Sequence, residues 1–159
     1  MPRVLAIVVL LFGCTADDAA PADGAIGPSL DGGVPDGAPI DAIPLAPTLT
    51  SIKARILQKR CGCHVGGSMP AGNLDFAGDP YAALVGVSAA GLECAPTGLQ
   101  IVVPGEPSVS LLYLKVAAKA GLEPSPCGLE MPKGTFNPAL SPEELDAIEQ
   151  WIADGALEN

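Results

Sequence analysis

Leu49-Thr50-Ser51-Ile52-Lys53-Ala54-Arg55-Ile56-Leu57-Gln58-Lys59-Arg60 runs straight into Cys61-Gly62-Cys63-His64. Leu49, Ile52, Ile56 and Leu57 recur at helical spacing, while Lys53, Arg55 and Lys59 fall on the other face, which predicts an amphipathic helix. At its end stand two thiols and the chain's single histidine. A helix that buries one face and delivers such a cluster to its terminus points to a helical domain built around a site, so the rest of the chain is read outward from here.

Downstream the signals stay helical. Asp79-Pro80 supplies a capping carboxylate and a proline at the first helical position, followed by the apolar Tyr81, Leu84 and Val85, with Gly86 near the end. A third helix is expected from Ser108 to just before Gly121, carrying Leu111, Leu112, Leu114, Val116 and Ala118. In the fourth, Ser141 and Glu144 form an S-x-x-E capping box, Pro142 sits in the first turn, and Leu140 and Leu145 are placed as a hydrophobic staple. Leu145, Ile148 and Ile152 line one face, and Gly155 stops it. Gly- and Pro-rich loops without strand alternation join these helices. The expectation is an all-α domain over residues 48–159, with three to four helices and long loops. Six aromatics in the whole chain make a thin core, which a large apolar cofactor would supplement.

Upstream the texture differs. Met1-Pro2-Arg3 precedes the apolar run Val4 to Phe12, too short to span a membrane and shaped like the core of a signal peptide. Leu11-Phe12-Gly13-Cys14 resembles a bacterial lipobox, so residues 1–14 are expected to end at a lipidated Cys14. The alternative is an ordinary secretory signal with an incidental cysteine. Residues 15–47 interleave Asp17, Asp18, Asp23, Asp31, Asp36 and Asp41 with six prolines and no basic residue. Such a stretch buries too little apolar surface to offset its ordering entropy and reads as a disordered tether. The whole chain carries a net charge of −10. That acidity disfavours nucleic acid and leaves the lipid anchor as the expected membrane contact.

The four residues Cys61-Gly62-Cys63-His64 bear on covalent haem attachment. In C-x-x-C-H the two cysteines form thioethers with the haem vinyl groups, and the adjacent histidine ligates the iron. Here the motif is one residue short. Cys63 keeps its place beside His64, whereas Arg60 stands where the first cysteine belongs. Two residues apart on an ideal helix, Cys61 and Cys63 would point about 200° away from each other.

From Ile56 to Ala156 the chain resembles the small c-type cytochrome domains of exported bacterial proteins. The resemblance rests on Cys63-His64-Val65-Gly66-Gly67 and on Tyr81-Ala82-Ala83-Leu84-Val85-Gly86-Val87. It continues in Val103-Pro104-Gly105-Glu106-Pro107 before Ser110-Leu111-Leu112, and in Met131-Pro132-Lys133-Gly134. Its last pieces are Leu140-Ser141-Pro142-Glu143-Glu144-Leu145 and Trp151-Ile152-Ala153-Asp154-Gly155-Ala156. The resemblance implies one covalent haem c, His64 as proximal and Met131 as distal iron ligand, and Cys63 with Cys61 as thioether sulfurs. Such ligation suits one-electron transfer rather than catalysis, because neither axial position is left open to a substrate. Met69-Pro70, only five residues after His64, ranks below Met131. With the first pair given to haem and Cys14 to lipid, Cys94 and Cys127 remain and are expected to form a disulfide outside the cytoplasm.

The short motif leaves several outcomes open. Both thioethers form on a distorted backbone, Cys63 alone attaches the haem, or the site stays haem-free. A tetrahedral zinc site from Cys61, Cys63, His64 and Cys94 or Cys127 uses the same residues, though C-x-C is tighter than structural zinc pairs usually are. The function expected is that of an electron-transfer lipoprotein, exported and held at the cell envelope, whose redox partner offers a basic docking surface. A haem-free surface lipoprotein acting as a binding module is the alternative.

Overall fold

In a computed structural model of the chain, the structure describes residues 44–67 and 70–159. The expected signal segment, the lipidation at Cys14, most of the tether and Met69 lie outside the described residues. Leu49–Ile52, the π-helical Lys53–Leu57 and Gln58–Arg60 run end to end in helical backbone and together form α1. It starts where Thr48 Oγ1 accepts the Ser51 N–H at 3.3 Å. Ile52, Ile56 and Leu57 are fully buried, so the predicted face is the one that packs. Contacts to the folded part already begin at Pro44, whose carbonyl accepts the Ser51 hydroxyl at 2.8 Å.

The short α2, Pro80–Leu84, begins as its sequence dictates: Asp79 Oδ1 accepts the N–H groups of Tyr81 and Ala82. After α2 the chain extends and pairs with the segment before the third helix. Val85 bridges Val102 in parallel and Ser88 bridges Gln100 antiparallel. These bridges stay isolated, and no strand longer than a bridge forms among the described residues.

Helix α3 covers Leu111–Lys119. It does not start at Ser108: residues Pro107–Val109 form a separate 3₁₀ turn, and the Ser110 hydroxyl is already engaged. It accepts the Val103 N–H at 2.9 Å and donates to the Glu106 carbonyl at 2.8 Å. The first helical amides of α3 are satisfied instead by backbone, Leu111 N–H on the Gln100 carbonyl and Leu112 N–H on that of Ile101. The helix ends as expected, with Gly121 in the left-handed region at φ 75°. Its buried face is Leu111, Lys115, Val116 and Ala117, whereas Leu114 and Ala118 are only half-buried.

Helix α4, Pro142–Ala153, carries both halves of the capping box. Glu144 N–H donates to Ser141 Oγ at 3.2 Å, and Ser141 N–H donates to Glu144 Oε2 at 2.8 Å. Leu140 and Leu145 are both buried in the same core, as a hydrophobic staple requires. That core joins Ile52, Ile56 and Leu57 of α1, Leu84 of α2, Val102, Val116 of α3, and Ile148, Trp151 and Ile152 of α4. Trp151 is 1 % exposed, and its indole N–H donates to the Leu157 carbonyl at 2.9 Å. The described part is therefore a small, mostly helical domain of four helices. None of them is long and apolar enough to cross a membrane.

Candidate functional site

Helix α1 stops at Arg60, and Cys61 leaves helical backbone at φ −116°, ψ 32°. Gly62–His64 then make one 3₁₀ turn. This break places the two cysteines in different surroundings. Cys61 packs partly against the core, and Cys63 is exposed. Burial pushes the Cys61 thiol up to about 11, with the Arg60 charge opposing and Glu144 adding to the rise. Cys61 is a free thiol. Cys63 is disulfide-bonded, so a thioether at this sulfur requires its prior reduction.

His64 is fixed from one side by Phe76. The Phe76 N–H donates to the His64 carbonyl at 2.6 Å, and the two rings lie 5.6 Å apart at 50°. Phe76 itself belongs to the core. Asp75 closes the intervening loop, Oδ1 accepting the N–H groups of Gly66 at 3.0 Å and Ala77 at 2.8 Å. Those bonds to Ala77 and then Gly66 hold its carboxyl below the usual aspartate value. The His64 Nδ1 atom is buried without a hydrogen-bond partner. On the same turn, a Cβ added at Gly62, Gly66 or Gly67 would meet nothing within 4 Å among the described residues. Gly66 and Gly67 take φ 72° and 92°, where only glycine sits without strain.

Met131 is half-buried against the core, on a loop anchored to α3 and to the 94 loop. Its N–H donates to the Lys115 carbonyl at 3.0 Å. The Lys115 ammonium reaches back to the carbonyls of Cys127 and, at 2.7 Å, Leu129. Burial lowers the Lys115 pKa, and the charges of Glu93 and Glu130 oppose that shift. One turn on, Lys119 donates to the Gly134 carbonyl at 2.9 Å and pairs with Glu130 at 3.6 Å. The expected disulfide is present: Cys94 and Cys127 are bridged with Cα atoms 5.2 Å apart. It fastens the loop before Val103 to the loop of Met131.

Arg60, which takes the place of the first motif cysteine, serves a different purpose. Its Nη2 donates to the carbonyls of Ala139 at 2.8 Å and Pro138 at 3.3 Å, tying the end of α1 to the segment that follows Met131. The zinc set does not assemble. Cys94 and Cys127 are consumed by their disulfide, and the described residues contain no cluster of three His, Cys, Asp or Glu.

Sequence reasoning reached Cys61, Cys63, His64, Met131 and the Cys94–Cys127 pair, but not Asp75, Phe76, Lys115 or Lys119. Two lysines four apart on the otherwise apolar Leu111–Lys119 were the available signal, since an ammonium on a buried face needs acceptors. Asp75 and Phe76 offered no pattern beyond loop composition. The chain matches no protein-family profile, no curated protein and no solved structure.

Proposed function

We propose that the chain is a haem c-binding electron-transfer lipoprotein of the cell envelope, its domain resembling the small c-type cytochromes. The observation that carries this reading is the Cys63-His64 turn. It projects from the end of α1 beside an open glycine backbone, and the buried imidazole Nδ1 has no hydrogen-bond partner among the described residues. A donor set of one imidazole and one thioether fits haem iron. His64 would hold the proximal side, Met131 the distal side, and Cys63 the thioether once its sulfur is reduced. Haem would supply a one-electron iron couple. The chain's part is to fix the two ligand loops, through Phe76 and Asp75 on one side and Lys115 and the Cys94–Cys127 disulfide on the other. A chain with net charge −10 steers toward a basic redox partner, and the association weakens as salt rises.

The test is a pyridine haemochrome spectrum on protein matured in a host with c-type attachment machinery, after acid–acetone extraction. Haem that stays with the protein, with the band position of a single thioether, supports the reading. Colourless protein, alongside a control cytochrome that matures, overturns it.

Two observations favour a second reading, a haem-free surface lipoprotein that binds a partner. Cys61 packs on the core, and Cys63 is disulfide-bonded. The same spectrum separates the two.

A further inference from the structure

Cys127, Leu129 and Met131 are alternate residues of one segment, and each places a backbone group on the same lysine. The carbonyls of Cys127 and Leu129 accept from the Lys115 ammonium, and the Met131 N–H donates to the Lys115 carbonyl. Lys115 is 9 % exposed, in the middle of α3, between the core residues Leu111 and Val116. A buried ammonium is retained only where acceptors meet it, and here its acceptors come from this one loop.

From this convergence we infer that Lys115 is the positioning residue of Met131. Resting on the reading of Met131 as the distal iron ligand, the inference assigns to α3 the task of setting where the methionine sulfur stands, with or without haem. The disulfide at Cys127 ends the splinted stretch on one side, and Lys119 on Gly134 ends it on the other. Between those ends Lys115 holds the backbone of Cys127, Leu129 and Met131, while Lys119 pairs with the Glu130 side chain. Methionine there would keep the length and the packing of the stem while removing every donor. Arginine would keep a buried cation with several donors.

The experiment uses the full mature chain in two forms. In the haem-free protein, amide hydrogen exchange is read at Leu129 and Met131 for wild type, Lys115→Met and Lys115→Arg, with the α4 amides as internal reference. Loss of two charge-assisted hydrogen bonds should raise exchange at Met131 about tenfold or more relative to α4, and Lys115→Arg should recover most of it. In the haem-loaded protein, the charge-transfer band of thioether-ligated ferric haem should fall in Lys115→Met and return in Lys115→Arg. Unchanged exchange at Met131 in Lys115→Met overturns the positioning role even if the wild-type band is present. A wild type without that band, but with the exchange effect intact, removes the ligand reading and leaves Lys115 as the setter of the loop. Should Lys115→Met not fold, Lys115→Gln, which keeps one donor group, carries the same comparison.

Discussion

Replacing Cys94 and Cys127 together by alanine removes the cross-link but leaves the Lys115 and Lys119 clamps on the same loop. The bridged cysteines are 33 residues apart. For a loop of that length the chain-entropy relation gives about 3.7 kcal/mol of stabilisation at 25 °C, because the unfolded chain loses the freedom to separate its two halves. Against the ~5–15 kcal/mol that holds a domain of this size, that is between a quarter and most of the total. At about 4 °C per kcal/mol for a domain slightly above 100 residues, the melting temperature should fall by ~15 °C.

Urea unfolding of wild type and the double variant, both in the same haem state, measures this directly. The chain's one tryptophan, Trp151, lies in the core and reports the transition. Wild type and the double variant, both reduced before unfolding, should match, since the Cys63 disulfide is then open in both and neither keeps the 94–127 loop constraint. A difference below about 1 kcal/mol between oxidised wild type and the double variant would refute the reasoning. It would mean that the unfolded chain already keeps these loops together, so that closing them costs little.

Three further outcomes follow from single groups. The Cys61 thiol stands at about 11 in the fold against an ordinary 9.0. Because the folded value is the higher one, the stability is complete below pH 9 and is lost as pH rises through 11, about 2–3 kcal/mol in all. Cys61→Ser should remove that slope from urea midpoints taken between pH 8 and 10.5, and an identical slope in the variant would sink the assignment. Ser141→Ala loses the cap on the Glu144 N–H and should cost about 1 kcal/mol in the same unfolding assay. Asp75→Ala removes the acceptor of the Gly66 and Ala77 amides, so both should exchange severalfold faster, by roughly the effect of one lost hydrogen bond each. In the wild type those amides should stay protected above the ordinary aspartate range. Protection should be lost as pH falls through the depressed value of Asp75, and amide exchange by NMR as a function of pH decides it.

Where one residue's chemistry dictated a local structure, the sequence was legible. Asp79-Pro80 caps α2, and Ser141 with Glu144 forms a full capping box, because those side chains have few other ways to satisfy the first turn of a helix. The end of α1 at the cysteine cluster and the Cys94–Cys127 pairing were equally plain. The start of α3 was not. Ser108 and Ser110 look alike as caps in sequence, and only the tertiary fold engages the Ser110 hydroxyl with Val103 and Glu106 and moves the helix start to Leu111. Lys115 was hidden for the same reason. Its role depends on carbonyls 12 and 14 residues away, and no local pattern encodes which loop will cover a helix. Likewise Phe76 acquires meaning only from its contact with His64.

The two cysteines of the short motif differ in a way that bears on how haem would attach. Thioether formation needs a reduced, accessible sulfur, and the thiolate is the stronger nucleophile. Cys63, once its disulfide is reduced, is an exposed sulfur adjacent to His64 on a turn with no side chains at Gly62, Gly66 or Gly67 to block approach. Cys61 has its sulfur against the core, with a pKa of about 11 that leaves only about one part in a thousand as thiolate at pH 8. Turning Cys61 outward would also disturb Arg60, which ties α1 to Pro138 and Ala139 beyond Met131. Attachment through Cys63 alone preserves that tie. Attachment through both would break it and loosen the segment after Met131. Under the proposed haem attachment, the missing residue in the motif would therefore be best accommodated by a single thioether. Cys61→Ala should then leave haem retention unchanged after acid–acetone extraction, whereas Cys63→Ala should abolish it. Loss of haem in Cys61→Ala would show that both sulfurs are bonded and that the end of α1 rearranges on attachment.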